Sequence, residues 1–120
     1  MSQKIERFED LEVWKEGMRL TVDIYKRLKD CKDFGLRDQM QRAAVSIPSN
    51  IAEGFERNSN KEFIQFLYIA KSSCAELRTQ SYLATEIGIR DKAMGDDMLE
   101  RIKKISAMLY KLIRTRKKKF

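Results

Sequence analysis

The amino-acid sequence predicts an all-α protein, an up-down antiparallel four-helix bundle, and three observations lead to that prediction. Hydrophobic residues make up 42% of the 120 residues and charged residues 36%, a composition too apolar for a disordered chain. One proline and five glycines leave few breaks in regular structure. Apolar residues recur every three or four positions in four segments joined by short connections, which makes sequential helices antiparallel neighbours. We predict one domain over residues 1–120, with helices of about 20–28 residues.

The first helix has two parallel apolar stripes. One contains Leu11, Trp14, Met18, Thr21, Tyr25 and Leu28, and the other contains Val13, Gly17, Leu20 and Ile24. Together they cover nearly half of the helix surface, whereas a helix in a small bundle needs an apolar arc of only about 100°. Self-association is the simplest explanation for the extra apolar surface, although a fully enclosed helix would give the same pattern.

The second helix contains the single proline of the chain, Pro48. Proline has no N–H group and its ring clashes with the carbonyl four residues earlier, here Ala44, so the helix is predicted to kink or restart at this point. The short polar side chains of Ser46, Ser49 and Asn50 flank the proline and are expected to satisfy the freed backbone groups.

The third helix follows a turn at residues 55–60, where asparagine and serine side chains can cap it. Its predicted apolar stripe contains Phe63, Leu67, Ala70, Cys74, Leu77, Ala84 and Ile87. Gly88 is predicted to end this helix and Asp91 to cap the fourth. The seam of the fourth helix is predicted to contain Met98, Ile102, Ile105, Leu109 and Leu112.

The net charge of +7 is concentrated at the C-terminus. Residues 101–120 contain nine basic side chains and no acidic ones, whereas the preceding hundred residues are slightly acidic overall. At 100° per residue, most of these cations lie opposite the apolar seam of the fourth helix and continue into a short basic tail, residues 114–120. The predicted nucleic-acid-binding residues are Lys103, Lys104, Lys111, Arg114, Arg116, Lys117, Lys118 and Lys119. Clustered cations of this kind favour a polyanionic partner, although a solubilising tail would have the same composition.

Aromatic side chains could add base stacking to this charge. Tyr110 is a candidate because Lys103, Lys111 and Arg114 lie on neighbouring turns, whereas Trp14 and Tyr25 are expected to be core residues.

Most enzyme classes are disfavoured by the composition. The chain has no histidine, which removes the commonest general base and metal ligand, and it has no glycine-rich phosphate loop. Glu53 and Glu76 could be paired carboxylates of a di-iron site, but such sites use Glu-x-x-His motifs. We expect instead that they form polar pairs at helix contacts together with Arg42, Asn50 and Arg57. We predict no enzymatic activity, no cofactor and no bound metal.

The two cysteines, Cys31 and Cys74, do not have the spacing of a disulfide framework or a zinc site, which favours a reducing compartment. The start of the chain is charged and no apolar run approaches the roughly 20 residues of a membrane helix. We therefore expect a cytoplasmic protein with no integral membrane association.

Residues 42–54, with the sequence RAAVSIPSNIAEG, are the most specific feature of the chain. This segment resembles the hallmark of the bacterial four-helix-bundle proteins encoded in 23S ribosomal RNA intervening sequences, a family that includes the accessory variability determinant of diversity-generating retroelements. The resemblance covers roughly residues 8–113. The hallmark and assembly residues that it implies are Arg42, Ser46, Pro48, Asn50, Glu53, Gly54, Arg57 and Glu76.

The resemblance implies a bundle that assembles as a ring-like homopentamer with a basic surface. Retroelement members of the family bind nucleic acid and a reverse transcriptase, while no biochemical role is established for the intervening-sequence members. Our leading hypothesis is therefore a non-enzymatic oligomeric adaptor for structured RNA or RNA–DNA. A protein–protein scaffold without nucleic-acid binding is the main alternative, and a binder of anionic membrane surfaces is a weaker one.

Overall fold

The computed structural model describes residues 4–119, and in this range the chain forms four α-helices and no β-strand. A short 3-10 turn at Phe8–Asp10 precedes the helices, which are α1 (Glu12–Arg27), α2 (Phe34–Phe55), α3 (Asn60–Glu86) and α4 (Lys92–Lys119). The predicted four-helix fold is confirmed, although α1 has only 16 residues, fewer than expected. The beginning of the chain and Phe120, the last residue of the predicted tail, lie outside the described residues.

The helix boundaries follow the predicted capping residues. The Ser59 hydroxyl accepts a hydrogen bond from the Glu62 N–H at 3.2 Å, which caps α3. Gly88 has a positive φ of 81°, a conformation that suits glycine, and it follows Ile87, the C-cap of α3. The Asp91 carboxylate accepts from the Met94 N–H at 2.8 Å at the start of α4. All three predicted signals are confirmed.

The two apolar stripes of α1 have different environments. Val13, Gly17, Leu20 and Ile24 are buried in the core. The other stripe is buried at its ends, but Met18 and Tyr25 are 39% and 45% exposed. The expectation that Tyr25 is a core residue is therefore wrong, because Tyr25 and Met18 face away from the core that buries the ends of their stripe. Together with Val22, which is also exposed, these side chains form an outer apolar face on α1.

Pro48 lies inside α2, which continues through it to Phe55, so the helix does not restart there. The Ala44 carbonyl, which has no N–H partner at Pro48, accepts a hydrogen bond from the Thr21 hydroxyl of α1 at 2.9 Å. The same hydroxyl lies 2.7 Å from the Gly17 carbonyl of its own helix. The prediction that residues next to the proline satisfy the freed carbonyl is therefore wrong, since the donor comes from the neighbouring helix.

The contact between α2 and α3 depends on small residues. A Cβ atom on Gly54 would lie 2.6 Å from the Phe66 Cβ, which is closer than real Cβ contacts allow. Eight residues earlier on α2, the Ser46 hydroxyl lies 2.8 Å from the Ser73 hydroxyl of α3. The order of these two contacts reverses between the helices, as it does in an antiparallel pair.

The buried seams of α3 and α4 agree with the prediction except near their ends. Ile87 is exposed, because it follows the last turn of α3. On α4, Ile113 is fully buried while Leu112 is only partly buried. The α4 seam is therefore centred slightly away from the predicted line.

Ion pairs connect α1 to α4. Arg101 donates to the Asp23 carboxylate at 2.5 Å, and Arg27 donates to the Asp97 carboxylate at 2.9 Å. Arg101 belongs to the basic C-terminal segment, but its charge is balanced within the bundle. The unbalanced positive charge of α4 therefore begins at Lys103.

We expect Thr21→Val to lower the free energy of unfolding by about 1–3 kcal/mol, because the buried Ala44 carbonyl would lose its donor. Thr79→Val is the matched control, since that exposed hydroxyl bonds only to the Ala75 carbonyl of its own helix. The control should change stability by less than about 0.5 kcal/mol. Urea unfolding followed by circular dichroism measures both variants, and equal effects would contradict a special role for Thr21.

Candidate nucleic-acid interface

The fourth helix presents one face to the core and the opposite face to solvent. Its buried residues are Gly95, Met98, Ile102, Ile105, Leu109 and Ile113. The predicted cations on the opposite face are all exposed, namely Lys103, Lys104, Lys111, Arg114 and Lys118. We call these five residues the outer basic face of α4.

Lys104, Lys111 and Lys118 follow one another at seven-residue intervals on this face. At 1.5 Å per residue they span about 21 Å of helix. One nucleic-acid strand carries a phosphate for every roughly 3.4 Å of duplex axis, so the row matches the length of about six phosphates. The face therefore has the dimensions of a backbone-contacting surface.

Few carboxylates of the described residues lie close enough to the outer basic face to neutralise its cations. Within residues 4–119 the only carboxylate within 4.0 Å of any of its five cations is that of Glu16, which lies at that distance from the Lys104 ammonium. The acidic residues of α4, by contrast, are confined to its N-terminal half at Asp96, Asp97 and Glu100. The positive potential is consequently strongest over the C-terminal half of the helix.

The predicted basic tail is helical as far as Lys119. Four basic residues occupy the last turn, where they interact favourably with the partial negative charge at a helix C-terminus. This interaction offsets part of their mutual repulsion. The cations at 114–119 consequently have positions set by the helix rather than by a loose extension.

Arg116 does not belong to the outer basic face. Its guanidinium donates to the Asn60 side-chain oxygen at 2.7 Å and lies 5.0 Å from the centre of the Phe63 ring. The Asn60 amide in turn donates to the Arg116 carbonyl at 3.0 Å. Partial burial lowers the pKa of the Arg116 guanidinium from its ordinary value. Arg116 thus joins the end of α4 to the start of α3.

The sequence contained a signal for this inward position. Residue 116 follows Met98 by 18 positions, which is five complete helical turns, so Arg116 lies on the same side of α4 as the apolar seam. The prediction that Arg116 of the basic tail binds nucleic acid did not take this helical phase into account.

Two of the other cations lie against tyrosine rings. The Lys117 ammonium donates to the Tyr68 hydroxyl at 2.7 Å and lies 5.0 Å from the ring centre. The Arg114 guanidinium lies 5.8 Å from the centre of the Tyr110 ring. Tyr68 is a surface residue of α3 that sequence reasoning missed. Its position well outside the α3 apolar stripe was the available signal.

Two of the polar hallmark residues, Ser46 and Asn50, lie at the α2–α3 contact. The Asn50 amide donates to the Ser46 carbonyl at 2.7 Å and to the Ser46 hydroxyl at 2.8 Å. Since Ser46 also contacts Ser73, these side chains form a polar connection between the two helices. Pro48 and Gly54 are buried on the inner side of the same helix.

The charged hallmark residues are exposed. Arg57 pairs with Glu53 at 2.9 Å and with Glu62 at 3.8 Å, and its guanidinium lies 4.8 Å from the centre of the Phe66 ring. Arg42 and Glu76 are also on the surface. Glu53 and Glu76 are therefore outside the bundle core in which a di-iron site would lie. In the described part of the chain no group of three or more potential ligands could hold a metal ion.

The two cysteines differ in environment. Cys74 is buried, and burial raises the pKa of its thiol to about 12. Cys31 is partly exposed near the end of α1, with its sulfur 3.7 Å from the Asp33 carbonyl. A thiol that remains protonated at neutral pH is a poor nucleophile, so Cys74 is a core residue in this fold.

We expect Arg116→Ala to destabilise the bundle by about 1 kcal/mol, because it removes a hydrogen bond and a cation–π contact between α4 and α3. Lys118→Ala, two positions away on the solvent face, should change the free energy of unfolding by less than about 0.5 kcal/mol. Chemical denaturation of the two variants tests this assignment. If Arg116→Ala leaves the free energy of unfolding unchanged, Arg116 belongs with the surface cations instead.

No helix among the described residues is long and apolar enough to cross a membrane.

Comparison with known proteins agrees with the fold and the hallmark. Residues 9–111 match the family model described as 23S rRNA-intervening sequence protein. A solved structure of a protein with unknown function from the S23 ribosomal protein family of Bacteroides thetaiotaomicron is 25% identical, with a TM-score of 0.80 over 84% of this chain and 97% of that chain. No curated protein matches significantly. Because the family model spans most of the sequence, the chain belongs to the 23S rRNA-intervening sequence protein family.

Proposed function

We propose that this protein is a non-enzymatic, homo-oligomeric adaptor that binds structured RNA or RNA–DNA through the outer basic face of α4. The observation that carries the proposal is the row of exposed cations with almost no neighbouring carboxylates. Such a surface contacts phosphates and releases their counterions, which gives binding with little dependence on base sequence.

Oligomerisation matters for this function because one helix face offers few phosphate contacts. Several copies in one assembly would engage the same polyanion, and the effective concentration of each further copy would convert weak contacts into avid binding. The proposal therefore includes an assembly surface, for which the structure offers two exposed rows of mainly apolar residues.

The first row is the outer apolar face of α1, formed by Met18, Val22 and Tyr25. Arg19 and Lys26 flank it, and because Arg19 is paired with Glu16 at 2.7 Å, Lys26 supplies most of the positive charge beside the row. The second row lies on α3, where Ile69, Glu76 and Leu83 are exposed at seven-residue intervals. Both rows have the spacing of helix-packing seams.

The two rows are complementary in charge. The α3 row has Glu76 at its centre and adjoins the polar connection at Ser73, whereas the α1 row is bordered by cations. We propose that the α1 row of one copy packs on the α3 row of the next. A contact between two different surfaces is heterologous. It builds a ring when the rotation from each copy to the next brings the last copy into contact with the first. The number five is implied by the family resemblance alone.

The nucleic-acid function is tested by reversing four charges together, Lys103→Glu, Lys104→Glu, Lys111→Glu and Arg114→Glu. We expect loss of binding to structured RNA at about 50 mM salt. The circular-dichroism spectrum and the number of subunits in the oligomer should be unchanged. A control with Lys4, Lys29, Lys32 and Lys92 replaced by glutamate has the same net charge but should keep most of the binding. Equal loss in both variants would mean that only total charge matters.

Retained binding by the first variant, with the oligomer intact, would contradict the assignment to α4. Truncating the chain after Ile113 would also remove the basic tail. Charge reversal distinguishes the nucleic-acid adaptor from the protein–protein scaffold better, because truncation also removes Arg116 and its contacts with α3.

The assembly contact is tested by Val22→Glu on the α1 row and Leu83→Glu on the α3 row. Light scattering after size-exclusion chromatography should give several subunits for the unmodified protein and one subunit for each variant. Phe34→Glu is the control, since Phe34 is an exposed apolar residue outside both rows. It should leave the mass unchanged.

A mixture of the Val22→Glu and Leu83→Glu proteins should form dimers, because each retains the row that the other has lost. Two variants that stay monomeric when mixed would contradict a heterologous contact, and an unmodified protein that is itself monomeric would contradict the assembly.

A further inference from the structure

Three of the four tyrosines of the chain, Tyr68, Tyr82 and Tyr110, are exposed on α3 and α4. Tyr68 is 44% exposed and Tyr110 is 54% exposed. Both lie beside a cation of α4, since the Lys117 ammonium donates to the Tyr68 hydroxyl and the Arg114 guanidinium lies 5.8 Å from the centre of the Tyr110 ring. Exposed aromatic rings with adjacent cations are the arrangement on which unpaired bases stack.

The antiparallel register brings these two tyrosines to the same level of the bundle. Arg116 contacts Phe63 near one end of the α3–α4 pair, and Gly95 lies against Thr85 near the other end. In this register Tyr110 lies at the level of residue 70 of α3. Tyr68 is two residues from that position, or about 3 Å along the helix axis. The Lys117 contact confirms that the Tyr68 side chain reaches across to α4.

The surroundings of the pair are basic. A shallow surface depression next to Tyr110 is lined by Lys111, Arg114, Thr115, Lys118 and Lys119. Lys71 lies one turn from Tyr68 on α3. The acidic residues of these two helices that share this side, Glu86 and Asp96, are at the far end of the bundle.

We propose that Tyr68 and Tyr110 form a stacking platform for unpaired bases, while the outer basic face of α4 holds the adjoining phosphates. The preferred ligand is then a single-stranded segment, such as a loop of a structured RNA or a short stretch of single-stranded DNA, rather than a regular duplex. In a duplex the bases are already stacked on each other and present only edges to the protein. The inference rests on the proposed nucleic-acid function and adds the class of ligand.

The test uses fluorescence anisotropy with three labelled probes, an oligouridine of about 12 nucleotides, an oligothymidine of the same length and a blunt DNA duplex of about 12 base pairs. We expect the full-length protein to bind both single strands more tightly than the duplex. Tyr68→Leu and Tyr110→Leu should each weaken single-strand binding about tenfold and leave duplex binding nearly unchanged.

Two controls separate stacking from other roles of the rings. Tyr68→Phe and Tyr110→Phe keep the aromatic face without the hydroxyl, so they should retain single-strand binding. Tyr82→Leu removes an equally accessible tyrosine that the register places several turns away, opposite residue 98 on α4, and it should have no effect. Thermal unfolding of each variant checks that the bundle is intact.

The outcomes distinguish the two proposals. If the unmodified protein binds all three probes and the leucine variants bind them equally well, the stacking platform is wrong while the proposed function stands. An equal loss for duplex and single strands would also overturn the platform, since it would indicate a general disturbance of the basic face. If the unmodified protein binds none of the three probes at low salt but binds a structured RNA, the stacking platform is wrong and the proposed function stands. If it fails to bind structured RNA as well, both proposals fail.

Discussion

The hydrogen bond between the Thr21 hydroxyl and the Ala44 carbonyl is the contact on which the arrangement of the bundle depends. Pro48 deprives that carbonyl of its helical donor inside a buried stretch of α2, where an unpaired carbonyl is costly. The donor comes from α1, so this hydrogen bond links the register of α1 to that of α2. Gly17 permits the close approach, because a Cβ there would lie only 3.3 Å from the Ile47 side chain.

This constraint determines which surfaces of the protein are available. With α1 held against one side of α2, the close contact at Gly54 holds α3 against the other side. The fourth helix then closes the bundle through its own seam and through ion pairs to α1. Its outer basic face, formed by Lys103, Lys104, Lys111, Arg114 and Lys118, is exposed to solvent, whereas Arg116 bonds to Asn60 of α3. Pro48 and Gly54 of the hallmark segment therefore lie at helix contacts, and we place the proposed nucleic-acid recognition on α4 and its contact with α3.

The sequence predicted the helices and caps because their determinants are local. Ser59, Gly88 and Asp91 act within a turn of their own position, so periodicity and capping rules sufficed. The partner of the Ala44 carbonyl was not predictable, since it depends on how α1 packs against α2. The predictions for Tyr25 and Arg116 did not foresee their positions for a related reason. A wide apolar stripe does not indicate which of its residues will be buried in the core. In a run of basic residues, the one at 116, which lies on the inner side of the helix, is easily grouped with the exposed ones. The pairing of Tyr68 with α4 likewise requires the tertiary register.

The most direct test of the account is a salt titration of nucleic-acid binding on protein whose mass has been determined by light scattering. Fluorescence anisotropy with structured RNA, an RNA–DNA hybrid and duplex DNA would give the association constant at each salt concentration. The account predicts an oligomer whose log association constant falls linearly with log salt, with a slope equivalent to several phosphates per assembly. A well-formed oligomer that binds none of these nucleic acids at low salt would contradict it and leave a protein–protein scaffold as the explanation.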